Sequence, residues 1–124
     1  MVTLEEAEVM LDEIAEELPA EFYKELNGGI LLLPQAKLHP ENRANDLYIL
    51  GEYYHSFTMG RYIAIYYGSF EKAHGHLSNE EFKEKLKSTL LHEFTHHIES
   101  LAGDKSLEVK DAKRMDEYKK RFIE

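Results

Sequence analysis

A single helical pattern between Ser78 and Gly103 constrains the fold of this chain more than any other feature. Ser78 followed by Glu81 is a capping box, the sequence signature of a helix amino terminus. Apolar residues then recur at helical spacing up to Gly103, a residue type common just beyond a helix end. These apolar positions are Phe82, Leu86, Leu90, Phe94, Ile98 and Leu101. The pattern predicts one long helix whose apolar stripe faces a core.

Three short segments predict the sheet that packs against this helix. Residues 30–33 are apolar and lie between glycine and proline, which predicts a strand buried on both faces. Residues 47–54 and 62–67 are rich in aromatic and β-branched residues and flank a turn at Gly60, which predicts a hairpin with a wide loop. Residues 35–46 and 68–77 are predicted to be connections, and His74 and His76 in the second are interpreted as exposed.

Further helices are predicted at both ends of the chain. Thr3 and Glu6 form another capping box, so a helix is expected over residues 4–18, ending before Pro19, with a short helical turn over 20–26. Asp104 or Ser106 is expected to cap a last, amphipathic helix. The fold class expected is α/β of the α+β kind: a small three-stranded twisted sheet packed on the long helix, with amino- and carboxyl-terminal helices. A chain of 124 residues predicts a single domain over 1–124.

The composition narrows the classes of function. There is no Cys, so disulfides and thiolate zinc sites are excluded and His, Asp and Glu are the available metal ligands. A formal net charge of −9 disfavours binding to nucleic acid or to an anionic membrane surface. No export signal and no long apolar run is visible, so a cytoplasmic location is expected.

The most specific motif is His92-Glu93-Phe94-Thr95-His96, inside the long predicted helix. Residues four apart share one helix face, so His92 and His96 can offer two imidazole nitrogens to one metal ion. Glu93 lies beside them and can take a proton from the attacking water. This spacing is typical of zinc hydrolases, and Zn²⁺ is the expected cofactor. His97 is interpreted as structural and Glu99 as solvent-facing.

A third protein ligand is expected because catalytic zinc usually has three. If the chain doubles back after Gly103 as a helical hairpin, carboxylates of the last helix pass beside the His pair. Glu108 is ranked first because of its reach, Asp111 second as a ligand or as a hydrogen-bond partner of a ligating His, and Asp104 third.

The chain resembles the small zincin-like metallopeptidases of bacteria. The resemblance rests on residues 11–19, on Leu50-Gly51-Glu52-Tyr53, on residues 63–66 and above all on residues 91–97. It implies a zincin core, in which a small twisted sheet lies beside an active-site helix, and a peptidase activity. The chain departs from the family pattern at Glu99 and Ala102, where relatives commonly carry Gly and Asp.

The sequence therefore predicts a zinc-dependent peptidase with Glu93 as the general base, His92, His96 and Glu108 as metal ligands, and a peptide or protein as substrate. Tyr62, Tyr66 and Tyr118 are candidates for stabilising the oxyanion. Two alternatives stay open, namely an inactive binding or regulatory module on the same scaffold and a metal-dependent hydrolase of a non-peptide bond. A homodimer through an exposed edge strand and a monomer are both compatible with the sequence.

Overall fold

The long helix predicted from the sequence dominates the computed structural model, which describes residues 1–41 and 47–103. In chain order the elements are α1 (Leu4–Glu17), a 3-10 helix (Ala20–Tyr23), β1 (Gly29–Leu33), β2 (Lys37–Leu38), β3 (Tyr48–Ile49), β4 (Gly51–Ser56), β5 (Gly60–Tyr66), α2 (Tyr67–His74) and α3 (Asn79–Gly103). Both capping boxes are present, and the backbone N–H of Ser78 donates to Glu81 while that of Glu81 donates to the Ser78 hydroxyl.

The strands form one small mixed sheet and a two-stranded ribbon. In the main sheet the order is β1-β5-β4, with β1 parallel and β4 antiparallel to β5. The predicted hairpin is confirmed as β4 and β5, but the wide loop predicted for it is wrong, because Ser56 pairs with Gly60 and leaves only residues 57–59 in the turn. The second sheet pairs β2 with β3. Over residues 1–41 and 47–103 the fold is therefore α+β, with three α-helices and a small mixed sheet.

The core lies between the main sheet, α1 and α3. Ile63 and Ile65 of β5 are fully buried, as is Phe94 of α3. Phe94 packs against the rings of Phe22 and Tyr23 in the 3-10 helix, so that segment closes one end of the core. The predicted apolar stripe of the long helix is confirmed by burial of all six of its positions: Phe82, Leu86, Leu90, Phe94, Ile98 and Leu101.

Three expectations about the middle of the chain were wrong. Residues 30–33 are only partly buried, because β1 lies at an edge of the main sheet and β5 occupies its centre. The predicted connection over 35–46 contains the short strand β2. The predicted connection over 68–77 contains most of α2, which begins with four buried residues. Gly68 there is a packing position, since a Cβ atom would lie 2.4 Å from the backbone nitrogen of Ala36.

Two further findings complete the description of the fold. None of the described helices is long and apolar enough to cross a lipid bilayer. The predicted last helix, with Asp104 or Ser106 as its cap, lies outside the described residues.

Candidate metal centre and cleft

His92 and His96 lie one above the other on α3, and both side chains are exposed. Their Nε2 atoms are 3.3 Å apart, with the two rings nearly perpendicular at 87°. Two imidazole nitrogens bound to one tetrahedral zinc ion at about 2.0–2.1 Å each lie roughly 3.3 Å from each other. The observed spacing of the two nitrogens therefore equals the spacing that a shared zinc ion requires.

Glu93, between the two histidines, is only 5% exposed. Burial and, to a smaller extent, the nearby Glu52 carboxylate together raise the pKa of its carboxyl to about 7. A carboxyl group whose pKa lies near neutral pH can both accept and release a proton. Glu93 thus has the protonation behaviour of a general acid and base at this place.

The candidates for a third metal ligand lie outside the described residues. Within residues 1–41 and 47–103, no group of three or more His, Asp or Glu side chains could hold a metal ion. All three candidates named from the sequence, Glu108, Asp111 and Asp104, lie outside these residues. The described part of the site therefore contains two imidazole nitrogens as candidate ligands, and the ranking of the three carboxylates stays a prediction.

A cleft between α3 and the strands beside it exposes the motif on two sides. On the side of the helix amino terminus is a cavity of about 430 Å³, which we call the lysine half, lined in part by Lys85, Ser88, Thr89, His39 and Tyr48. On the other side is a cavity of about 660 Å³, the acidic half, lined in part by Glu52, Tyr53, His96, Glu99 and Ser100. Gly51, His92 and Glu93 line both cavities. The two halves therefore meet at the candidate metal centre.

His97 is fully buried and ties the motif helix to two other segments. Its Nε2 lies 2.7 Å from the carbonyl oxygen of Lys24, which can only accept, so Nε2 carries the proton. Burial lowers the pKa of the imidazole, so the ring is neutral and its Nδ1 accepts a hydrogen bond from the Tyr53 hydroxyl at 2.8 Å. The structural role predicted for His97 is confirmed, and Glu99 is exposed as predicted.

A second polar cluster forms around Glu52, whose Oε1 accepts from Lys37, Tyr54 and Tyr66. Burial raises the pKa of the Glu52 carboxyl, but these three hydrogen bonds outweigh burial and hold it below its usual value. Tyr62 stacks on Tyr54 and, like Tyr66, lines neither half of the cleft. The position of Tyr118 lies outside the described residues.

Sequence reasoning assigned no role to several residues of the cleft. Glu52 and Tyr53 were noted only as part of the segment that carries the family resemblance, since either face of an alternating strand can be the buried one. Lys85 is one of several lysines in α3, but its spacing of seven from His92 could have indicated a shared helix face. His39 reaches the cleft through pairing of β2 with β3, which no local pattern predicted.

Comparison with known proteins gives one informative relative. The chain is similar to the solved structure of a conserved hypothetical protein from Thermo thermophilus, with 34% sequence identity and a TM-score of 0.68. The match covers 82% of this chain and 99% of that one. No protein-family model and no curated protein matches the chain.

Proposed function

We propose that this chain, which belongs to the same family as the conserved hypothetical protein from Thermo thermophilus, is a zinc-dependent metallopeptidase with a minimal zincin fold. The observation that carries the proposal is the 3.3 Å separation of the His92 and His96 Nε2 atoms. Next to this pair a buried carboxyl group, that of Glu93, lines the same cleft.

His92 and His96 would hold the metal through Nε2, with Glu108 as the first choice for the third ligand. When bound, zinc supplies a Lewis acid that lowers the pKa of water and polarises a carbonyl group. Exposure of both imidazoles in a cleft leaves room for water and substrate beside them. Neutral imidazole and carboxylate are the ligand types that zinc accepts in catalytic sites.

Glu93 is the residue proposed to move protons. With a pKa of about 7, its carboxylate accepts a proton from the attacking water and then donates it to the nitrogen of the leaving amine. Burial keeps the carboxyl group in one place and away from bulk water. The same residue can thus serve both steps of peptide hydrolysis.

The substrate proposed for this cleft is an extended peptide. β4 lies at the edge of the main sheet and contributes Gly51, Glu52 and Tyr53 to the cleft wall. An edge strand offers unpaired backbone groups to an added strand, and such pairing gives affinity for a peptide main chain independent of its sequence. A peptide added there would pass beside His92 and Glu93.

The decisive experiment compares wild type with Glu93→Gln in zinc content and in cleavage of a peptide library. We expect about one zinc ion per chain in both proteins, and cleavage at least 100-fold slower in the variant because general acid–base catalysis contributes about 10²–10⁴-fold. Zinc binding without any cleavage that depends on Glu93 would favour an inactive binding module. Cleavage of non-peptide bonds, without cleavage of peptide bonds, would favour the alternative of a metal-dependent hydrolase that acts on a non-peptide bond.

The third ligand is tested separately. We expect Glu108→Ala to lose stoichiometric zinc as His96→Ala does, whereas Asp111→Ala and Asp104→Ala keep more of it. Retention of zinc in Glu108→Ala together with its loss in either other variant would transfer the role to that carboxylate.

A further inference from the structure

The cleft face of α3 carries charges of opposite sign on either side of the candidate metal centre. Lys85, His92 and Glu99 are each seven residues apart, close to two helical turns, so they lie along one line with a drift of about 20° per step. At a rise of about 1.5 Å per residue, Lys85 and Glu99 lie roughly 10 Å from His92 in opposite directions.

The two halves of the cleft reinforce this polarity. The lysine half contains the Lys85 ammonium, a donor of up to three hydrogen bonds to an anion, and no carboxylate other than that of Glu93 among its described lining residues. The acidic half combines two carboxylates, Glu52 and Glu99. The Lys37 ammonium already pairs with Glu52, whereas the exposed Glu99 faces His96 at 3.8 Å, too far for a hydrogen bond.

Lys85 differs from the lysines that flank it. Lys83 and Lys87 reach the acidic face of α1, where they pair with Glu13 and Glu17. In the described part of the chain, no ion pair engages the Lys85 side chain, and it is half-buried in the cleft wall. On a protein with a net charge of −9, this places a local positive charge near the reacting centre.

We propose that the cleft selects a bipolar peptide, with an acidic side chain bound in the lysine half and a basic side chain bound in the acidic half. A distance of roughly 10 Å equals about three residues of extended chain, so the charged side chains would be the second or third residue on either side of the central bond. Placement of that bond at His92 and His96 rests on the proposed function, but recognition of the two charges requires no cleavage.

Binding tests this selectivity in a protein that cannot complete the reaction. The Glu93→Gln variant, with zinc added, is titrated with two capped hexapeptides that carry a neutral coumarin label. One has two Glu, two Ala and two Lys in that order, and the other has the reverse order. The peptides have the same composition and net charge, so nonspecific attraction to the acidic protein is equal for both. Fluorescence anisotropy measures both dissociation constants.

We expect one order to bind about five- to tenfold more tightly, and the preference to shrink when the ionic strength rises from about 0.05 to about 0.5 M. Adding Lys85→Glu to the Glu93→Gln protein should reduce the ratio of the two dissociation constants to less than about twofold. Adding Lys83→Glu, which makes the same charge change outside the cleft, should leave the ratio unchanged.

Equal binding of the two peptides, including no detectable binding of either, overturns the proposal, as does a preference that survives in the Lys85→Glu protein. The proposed peptidase function fails by a different result, namely absence of cleavage that depends on Glu93 in the zinc-loaded wild type. A binding preference that depends on Lys85 supports charge selection whichever way the cleavage assay turns out.

Discussion

At the scale of single residues, the candidate centre depends on a neighbour that binds no metal. His97 follows the motif directly, and both of its ring nitrogens are used in hydrogen bonds inside the core. These bonds fix the rotation of α3 relative to β4, because Tyr53 belongs to the edge strand. The orientation of Glu93 toward the cleft is therefore set in part by His97, which lies four residues further along the helix and on the same side of it.

We expect Tyr53→Phe to lower the free energy of unfolding by about 1–2 kcal/mol, because it leaves the buried Nδ1 of His97 without a donor. Urea denaturation measures this loss. Tyr62→Phe is a matched control, since no hydrogen bond of the Tyr62 hydroxyl is found within residues 1–41 and 47–103, and it should change stability by less than about 0.5 kcal/mol. Equal stability of the two variants would contradict the assigned hydrogen bond.

At the scale of elements, the width of the cleft depends on how closely β4 approaches α3. Gly51 is the contact point: a Cβ atom there would lie 3.1 Å from Cγ2 of Thr89 and 3.1 Å from Cδ1 of Ile65. Such distances are closer than ordinary carbon–carbon contacts, so a Cβ atom at position 51 would require the side chains of Thr89 and Ile65 to shift by a few tenths of an ångström. Gly51 also lines both halves of the cleft.

For Gly51→Ala we expect a loss of about 1–3 kcal/mol in stability, as is usual for overpacking a well-packed core. Thr89→Ser removes the methyl group that the new side chain would meet. In a double-mutant cycle measured by urea denaturation, the pair should be less destabilised than the sum of the single variants by at least about 0.5 kcal/mol. Strict additivity would show that Thr89 does not limit the approach.

The start of α3 should make stability depend on pH. The hydrogen bonds that the Glu81 carboxylate receives from the backbone and side chain of Ser78 hold its pKa below the ordinary 4.5. The unfolded chain therefore takes up a proton at higher pH than the folded chain does. The contribution of Glu81 is present above about pH 4.5 and is lost as the pH falls through the folded pKa.

Glu81→Gln should consequently flatten the fall in unfolding free energy below about pH 4.5, because Gln can keep the cap but cannot titrate. Chemical denaturation at a series of pH values between about 3 and about 6 measures the slope. Glu80→Gln removes the same charge one position earlier, outside the capping box. It should leave more of the pH dependence of the unfolding free energy than Glu81→Gln does. If the slope is unchanged in Glu81→Gln, the capping carboxylate is not the source of the pH dependence.

At the scale of the whole molecule, zinc should stabilise the fold. A ligand that binds only the folded state at about 100 times its dissociation constant adds about 2.7 kcal/mol. We expect a higher midpoint of thermal unfolding with zinc than with magnesium, since imidazole nitrogens suit zinc and magnesium prefers oxygen ligands. His96→Ala should abolish the shift, whereas His76→Ala, in the connection before α3, should retain it. An equal shift in both variants would place zinc elsewhere.

The sequence predicted the parts of this molecule that obey local rules. The capping boxes at Thr3 and Ser78, the apolar stripe of α3 and the β4–β5 hairpin follow from spacing within one segment, and all are present. The prediction that residues 30–33 are buried on both faces was wrong, since strand order places β5 rather than β1 at the centre of the sheet. Strand order is a property of pairing between distant segments, which periodicity does not encode.

The same distinction applies to the candidate site. His92, Glu93 and His96 were found from spacing because one helix carries all three. Lys85 and His39 received no role from the sequence, because packing of different elements brings them to the cleft, and Tyr53 entered only as part of the segment that carries the family resemblance. Ranking Glu108 above Asp111 and Asp104 relied on an assumed helical hairpin, and it stays a prediction.

The bond between His97 and the Lys24 carbonyl joins residues 73 positions apart. A chain emerging amino end first from the ribosome presents Lys24 long before His97 has been made. Helix α3, which carries the motif, can pack in its final position only after nearly all of it has been synthesised. Bringing together residues so far apart in the sequence is among the slower steps of folding. A chain whose synthesis has only just passed His96 therefore carries the candidate metal ligands without the assembled cleft, and any chemistry of the cleft begins only after α3 has been completed.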